Sequence, residues 1–93
     1  MLVGMLKVNL MIYEAQTLKE KRRVLLSVKE RLRRRFNASV SEVDHQDLVQ
    51  RCTLGIALVS NEARAIHAQL DQMLDLIRAE PRVSLLECER LIV

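Results

Sequence analysis

The chain has 93 residues, 49% of them hydrophobic and 29% charged, a composition that gives one modest core and excludes a disordered chain; residues 1–93 are read as a single domain. Its formal charge of +3 is unevenly spread: the stretch from Thr17 to Phe36 carries nine of the fifteen Lys and Arg residues and two acids, a local +7, while the remainder sums to −4. Tyr13 and Phe36 are the only aromatics, so the core has to come from Leu, Val, Ile, Met and Ala.

Residues 2–13 alternate, with Leu6, Val8, Leu10 and Ile12 on one face and Met5, Lys7, Asn9 and Met11 on the other. That is the period of a strand with one buried side. The segment is too short for a bilayer span, Lys7 and Asn9 interrupt it, and it lacks the basic start and small-residue cleavage site of a signal peptide. A cytoplasmic protein with no membrane partner is expected.

Thr17–Phe36 reads as an amphipathic helix. Thr17 followed three residues later by Glu20 forms a capping box, in which hydroxyl and carboxylate each satisfy a free backbone N–H. Asn37, tolerant of positive φ, is placed to end the helix. At 100° per residue Leu18, Leu25, Val28, Leu32 and Phe36 form a core-facing stripe. Lys21 projects beside that stripe from the first turn, where it is expected to snorkel past the end of the sheet.

Residues 38–44 alternate Ser39, Ser41 and Val43 with Ala38, Val40 and Glu42, a short polar strand suited to a sheet edge. Asp44-His45-Gln46-Asp47 leads into a third strand, roughly Val49–Ser60, with Cys52, Leu54, Ile56 and Leu58 on one face. Asn61 is the candidate cap of a second helix to about Ala79, striped by Ala63, Ile66, Leu70, Met73, Leu74 and Ile77, and Pro81 stops it. A last strand runs from Arg82 to about Leu91, its faces obscured by the consecutive Leu85-Leu86. Cys52 and Cys88 are read as buried thiols of a reduced protein, too few and too far apart for a metal site.

The order βαββαβ, with one apolar stripe per helix, predicts an α+β ferredoxin-like two-layer sandwich: a four-stranded antiparallel sheet with both helices on one face. The first and third strands are then central. The far side of the sheet shows Met5, Lys7, Asn9, Met11, Thr53, Gly55, Ala57 and Val59, a half-apolar face for which a homo-oligomer, most simply a dimer, is one explanation.

Opposite the stripe of the first helix lie Lys19, Arg22, Arg23, Lys29, Arg33 and Arg34, interrupted by Leu26 and Glu30. One reading is a solvated face, with Glu30 pairing Arg34 at i+4. The other is a docking face for nucleic-acid phosphates, where clustered cations gain by releasing counterions. An acidic protein is an alternative partner, with Leu26 as its apolar contact. Gly4 and Gly55 fall in strands, so no Gly-rich phosphate loop exists, and no Ser elbow or Cys-His signature is present. No enzyme, cofactor or metal is indicated. The remaining polar concentration, around Ser39, Glu42 and His45, is the place where a small-molecule or acid–base site would form. Base stacking on the central strands has no aromatic to use.

Three segments carry a family resemblance: Thr17-Leu18-Lys19-Glu20-Lys21-Arg22, Phe36-Asn37-Ala38-Ser39-Val40-Ser41-Glu42 and Leu54-Gly55-Ile56-Ala57. With the hydrophobic first strand, the chain resembles the bacterial YlxP-like family, a small domain of unknown function. The resemblance singles out Thr17, Leu18, Lys19, Lys21, Arg22, Asn37, Ser39 and Glu42. It implies a ferredoxin-like fold and no established enzymatic activity. Gene neighbourhoods shared with translation and ribosome-maturation factors turn the RNA expectation toward a ribosomal particle.

Overall fold

The computed structural model describes residues 1–93 as β1 (Leu2–Met11), α1 (Leu18–Arg35), β2 (Ser39–Asp44), β3 (Arg51–Ser60), α2 (Ala63–Arg78) and β4 (Ser84–Ile92). The strands form one antiparallel sheet in the order β2-β3-β1-β4, with β1 and β3 in the centre. This is the ferredoxin-like α+β sandwich expected from the element order. Alternation decides which rows of the sheet are dry. Leu6 faces Ile56, Val8 faces Leu54 and Leu10 faces Cys52, and all six are buried under the helices. Val28 and Leu32 of α1 and Ile66, Leu70, Met73 and Ile77 of α2 complete the core at zero exposure. Each such side chain contributes about 1.5–3 kcal/mol of transfer free energy.

The helix ends depart from their sequence reading. Thr17 does cap α1, its Oγ1 accepting from the Glu20 N–H at 3.1 Å, but the Glu20 carboxylate accepts from the Gln16 N–H at 2.9 Å, one residue earlier than a capping box requires. Asn37 does not end the helix in a left-handed turn. Phe36, whose ring is buried, instead leaves in extended backbone (φ −129°, ψ 143°), so the chain goes straight toward β2. Asn61 does not cap α2: the cap position is Glu62, with no side-chain bond, and Ser60 Oγ accepts the Glu62 N–H instead. Ala63 is exposed and Leu76 joins the buried stripe.

The Leu85-Leu86 ambiguity has a backbone origin. Asn9 pairs with Glu87 and Leu10 with Leu85, so Leu86 is an extra, bulged residue. Leu85 packs on the core and Leu86 turns outward. Cys88, expected to be buried, is exposed, on the outermost strand of the sheet. No helix is long and apolar enough to cross a membrane.

Candidate functional site

Three polar assemblies stand out against this frame. The first is the outer face of α1, where the 3.6-residue period turns Lys19, Arg22, Arg23 and Arg34 to solvent and leaves Lys29 half-buried. Lys19, Arg22, Arg23 and Lys29 have no hydrogen-bond or ion-pair partner within the chain. Arg34 has only a long i,i+4 contact to Glu30, at 3.7 Å between exposed groups, as the spacing predicts. Arg35 extends the row, lying over the Phe36 ring at 5.6 Å.

Arg33 belongs elsewhere. Its Nη2 donates to the Val40 carbonyl of β2 at 2.5 Å, so it fastens the helix to the sheet edge. Arg31 is likewise committed, bound to Glu80 at 2.5 Å, and Arg82 holds the same carboxylate at 2.8 Å. Hydrogen bonds from Arg82 hold the buried Glu80 carboxyl down at about 2 against the cost of its burial. The Glu80 clasp ties the start of β4 to α1. The sequence offers no sign of it, since Glu80 follows a helix end and reads as a solvent residue.

The second assembly is Lys21, 1% exposed and not snorkelling. Its ammonium donates to the carbonyls of His45 (2.8 Å) and Leu48 (2.6 Å), lies 3.4 Å from that of Gln46, and is 2.9 Å from Glu42 Oε2. The loop closes over the first turn of α1 and cuts Lys21 off from water, and four oxygens replace the hydration lost. Glu42 lies on the helix side because it pairs with Leu54. Burial, reinforced by the Glu42 carboxylate, pushes the neighbouring Cys52 thiol up to about 12, and Lys21 opposes part of that rise. Cys52 is therefore no nucleophile at neutral pH.

The third assembly lies across the open face of the sheet. Asn9 Nδ2 donates to Glu87 Oε1, Thr53 Oγ1 donates to Asn9 Oδ1 at 2.6 Å, and His45 Nδ1 is 2.8 Å from Thr53 Oγ1. With the Thr53 proton committed to Asn9, the His45 Nδ1–H is the donor that completes the chain. His45 also holds φ at 62°, a left-handed conformation unfavourable for a residue with a Cβ. Lys21 grips the carbonyls on one side of this residue and Thr53 the ring on the other.

These positions separate the sequence-predicted trio. Ser39 and the His45 ring face the open side, while Glu42 points under the helices to Lys21, so Glu42 and His45 form no acid–base pair. Of the resemblance residues, Thr17, Lys21 and Glu42 have structural tasks, and Lys19 and Arg22 are free. Asn37 and Ser39 are exposed and hold nothing. The open face also divides. Val3, Met5, Ala57, Val59, Leu91 and Val93 make one apolar half, and Lys7, Asn9, Thr53, Glu87 and Glu89 make the polar half.

Residues 3–90 match the family described as Protein of unknown function (DUF503). The chain is 37% identical over 82 residues to Uncharacterized protein YlxP of Bacillus subtilis (strain 168), covering 88% of this chain and 89% of that one. Among solved structures it is similar to the de novo designed protein Foldit4, with a TM-score of 0.56 and 14% identity over 100% of this chain and 97% of that one. A designed protein described as having a ferredoxin fold aligns at a TM-score of 0.49 and 15% identity, over 99% of this chain and 85% of that one. The chain belongs to the DUF503 family.

Proposed function

We propose that this DUF503 chain is a non-catalytic RNA-binding module whose α1 outer face contacts backbone phosphates, as on a ribosomal particle. The observation behind it is a division of labour among the cations. Within α1, Lys21, Arg31 and Arg33 are spent on intramolecular acceptors, while Lys19, Arg22, Arg23 and Arg35 face outward without any and the half-buried Lys29 also has none. From residue 19 to 35 the row is about 24 Å long at 1.5 Å per residue. Such a row releases counterions when it meets phosphates and carries no base specificity.

Binding of a labelled structured RNA as a function of salt tests this reading. Replacing Arg22, Arg23 and Arg34 with Ala is expected to lower the log–log salt slope by about three while leaving the thermal transition in place. An unchanged slope removes α1 from the account. A second reading, an acidic protein on the same face, is favoured by Leu26, which stands 50% exposed in the middle of the cations. Displacement of that protein by bulk RNA places both on one surface. The apolar half of the open sheet face supports self-association as a dimer, which Val59→Asp is expected to abolish in sedimentation.

A further inference from the structure

The two edges of the sheet are finished differently. Along β2 the outward carbonyl of Val40 is taken by Arg33, and that of Glu42 accepts from Gln46 Nε2 at 3.3 Å. A register shift near Glu42 and Asp44 bends what remains. Both occupied carbonyls and the bend work against the addition of another strand at this edge. Along β4 nothing of the kind occurs. Val93 exchanges both backbone bonds with Val3, at 2.9 and 2.8 Å. By alternation Leu91, Glu89 and Glu87 also face β1, and Cys88, Arg90 and Ile92 direct their N–H and C=O groups outward. No side chain occupies those outward groups.

The side chains around this edge define what fits it. Glu87 and Glu89 stand on the open face, and neither carboxylate is in an ion pair. On the helix side the Arg90 guanidinium is held toward α2 by Asp71 at 2.7 Å and His67 at 3.0 Å. One cleft of about 350 Å³ opens beside Arg78, Val83, Leu85 and Cys88, and another of about 350 Å³ beside Met5, Lys7, Glu89, Arg90 and Leu91. An added strand would send alternate side chains into these two clefts.

Charge opposes a second copy in the registers that overlap most of β4. Antiparallel self-pairing with Cys88 opposite Cys88 sets Glu87 against Glu89 twice. With Cys88 opposite Arg90, Glu89 meets Glu89, and with Cys88 opposite Ile92, Arg90 meets Arg90. Directly opposed like charges destabilise a strand pair. We propose that β4 takes up an extended segment of another protein as a fifth strand. That segment carries Lys or Arg at alternate positions toward Glu87 and Glu89, and small apolar residues on the side facing α2. This surface is distinct from the basic face of α1, and its open side carries Glu87 and Glu89.

The test uses the intact chain and fluorescent peptides of equal length: Val and Lys alternating, Val and Glu alternating, and Val and Lys in two blocks. The alternating Lys peptide is expected to bind about tenfold more tightly than the Glu peptide, from two opposed charge pairs. It is also expected to slow hydrogen exchange at the Cys88, Arg90 and Ile92 amides but not along β2. Glu87→Lys with Glu89→Lys should reverse the preference between the two alternating peptides. Glu89→Lys alone keeps the Asn9–Glu87 bond and should erase the preference. Equal binding of block and alternating peptides overturns the proposal, as does an unchanged preference in the charge variants. Concentration-dependent protection of the same amides without peptide assigns the edge to a second copy and overturns it too.

Discussion

Replacing Lys21 with Met removes an ammonium that four oxygens surround, at nearly constant volume. The loss has two parts. Glu42, 18% exposed, becomes a charge without its partner, and the carbonyls of His45 and Leu48 lose their donor. Removing one member of a buried ion pair costs about 3–5 kcal/mol, and each orphaned buried acceptor about 1–3 kcal/mol. Gln46 and Leu48 are themselves exposed, so water re-enters the loop and most of the carbonyl cost is recovered. The net expectation is about 3–5 kcal/mol, a large share of the 5–15 kcal/mol typical of a domain. At about 4–8 °C per kcal/mol for this size, the midpoint of thermal unfolding should fall by roughly 12–40 °C. Urea unfolding read by circular dichroism gives the free energy independently of that conversion. Glu42→Gln in the same chain should recover part of the loss, because the stranded charge is then gone. The double-mutant cycle should show a coupling above about 1 kcal/mol. A Lys21→Met midpoint within about 4 °C of the parent, or purely additive costs, would refute the clasp as a stabilising element.

Glu80 leads to a pH effect of definite sign. Its folded pKa, about 2, lies below the unfolded value near 4.5, so its stabilisation is full above pH 4.5 and disappears as the pH falls toward 2. With Arg31 and Arg82 about 40% exposed, the effect is expected at about 1–2 kcal/mol, and Glu80→Gln should flatten the stability profile over that window in urea titrations. Gly4→Ala places a Cβ 2.3 Å from Ile66 Cγ2 and should cost about 1–3 kcal/mol by displacing α2. Gly55→Ala meets the exposed Val43 at 2.9 Å, where that side chain can move, and should cost less in the same melts. A thiol reagent at neutral pH should modify the exposed Cys88 within its normal reaction time and leave Cys52 untouched until the chain unfolds. One fast equivalent followed by one unfolding-limited equivalent is the expected progress curve.

Periodicity alone carried the fold: alternation in β1 and β3 and the two helical stripes determine which residues can be dry, and connection rules leave few ways to assemble them. Thr17 was legible as a cap because its partner is three residues away, and the i,i+4 pair of Glu30 and Arg34 likewise. The basic arc of α1 was visible for the same reason, since a helix face is a local property of the chain. What tertiary structure decided is which of those charges are spoken for. Arg33 and Val40, Arg31 and Glu80, and Lys21 with the loop at His45 are partners brought together only when helix and sheet pack, across 7, 49 and 24 residues of chain. The bulge at Leu86 and the sequestered edge carbonyls of β2 belong to the same class. They follow from strand register, which local patterning does not encode, and they separate an obstructed edge from an open one.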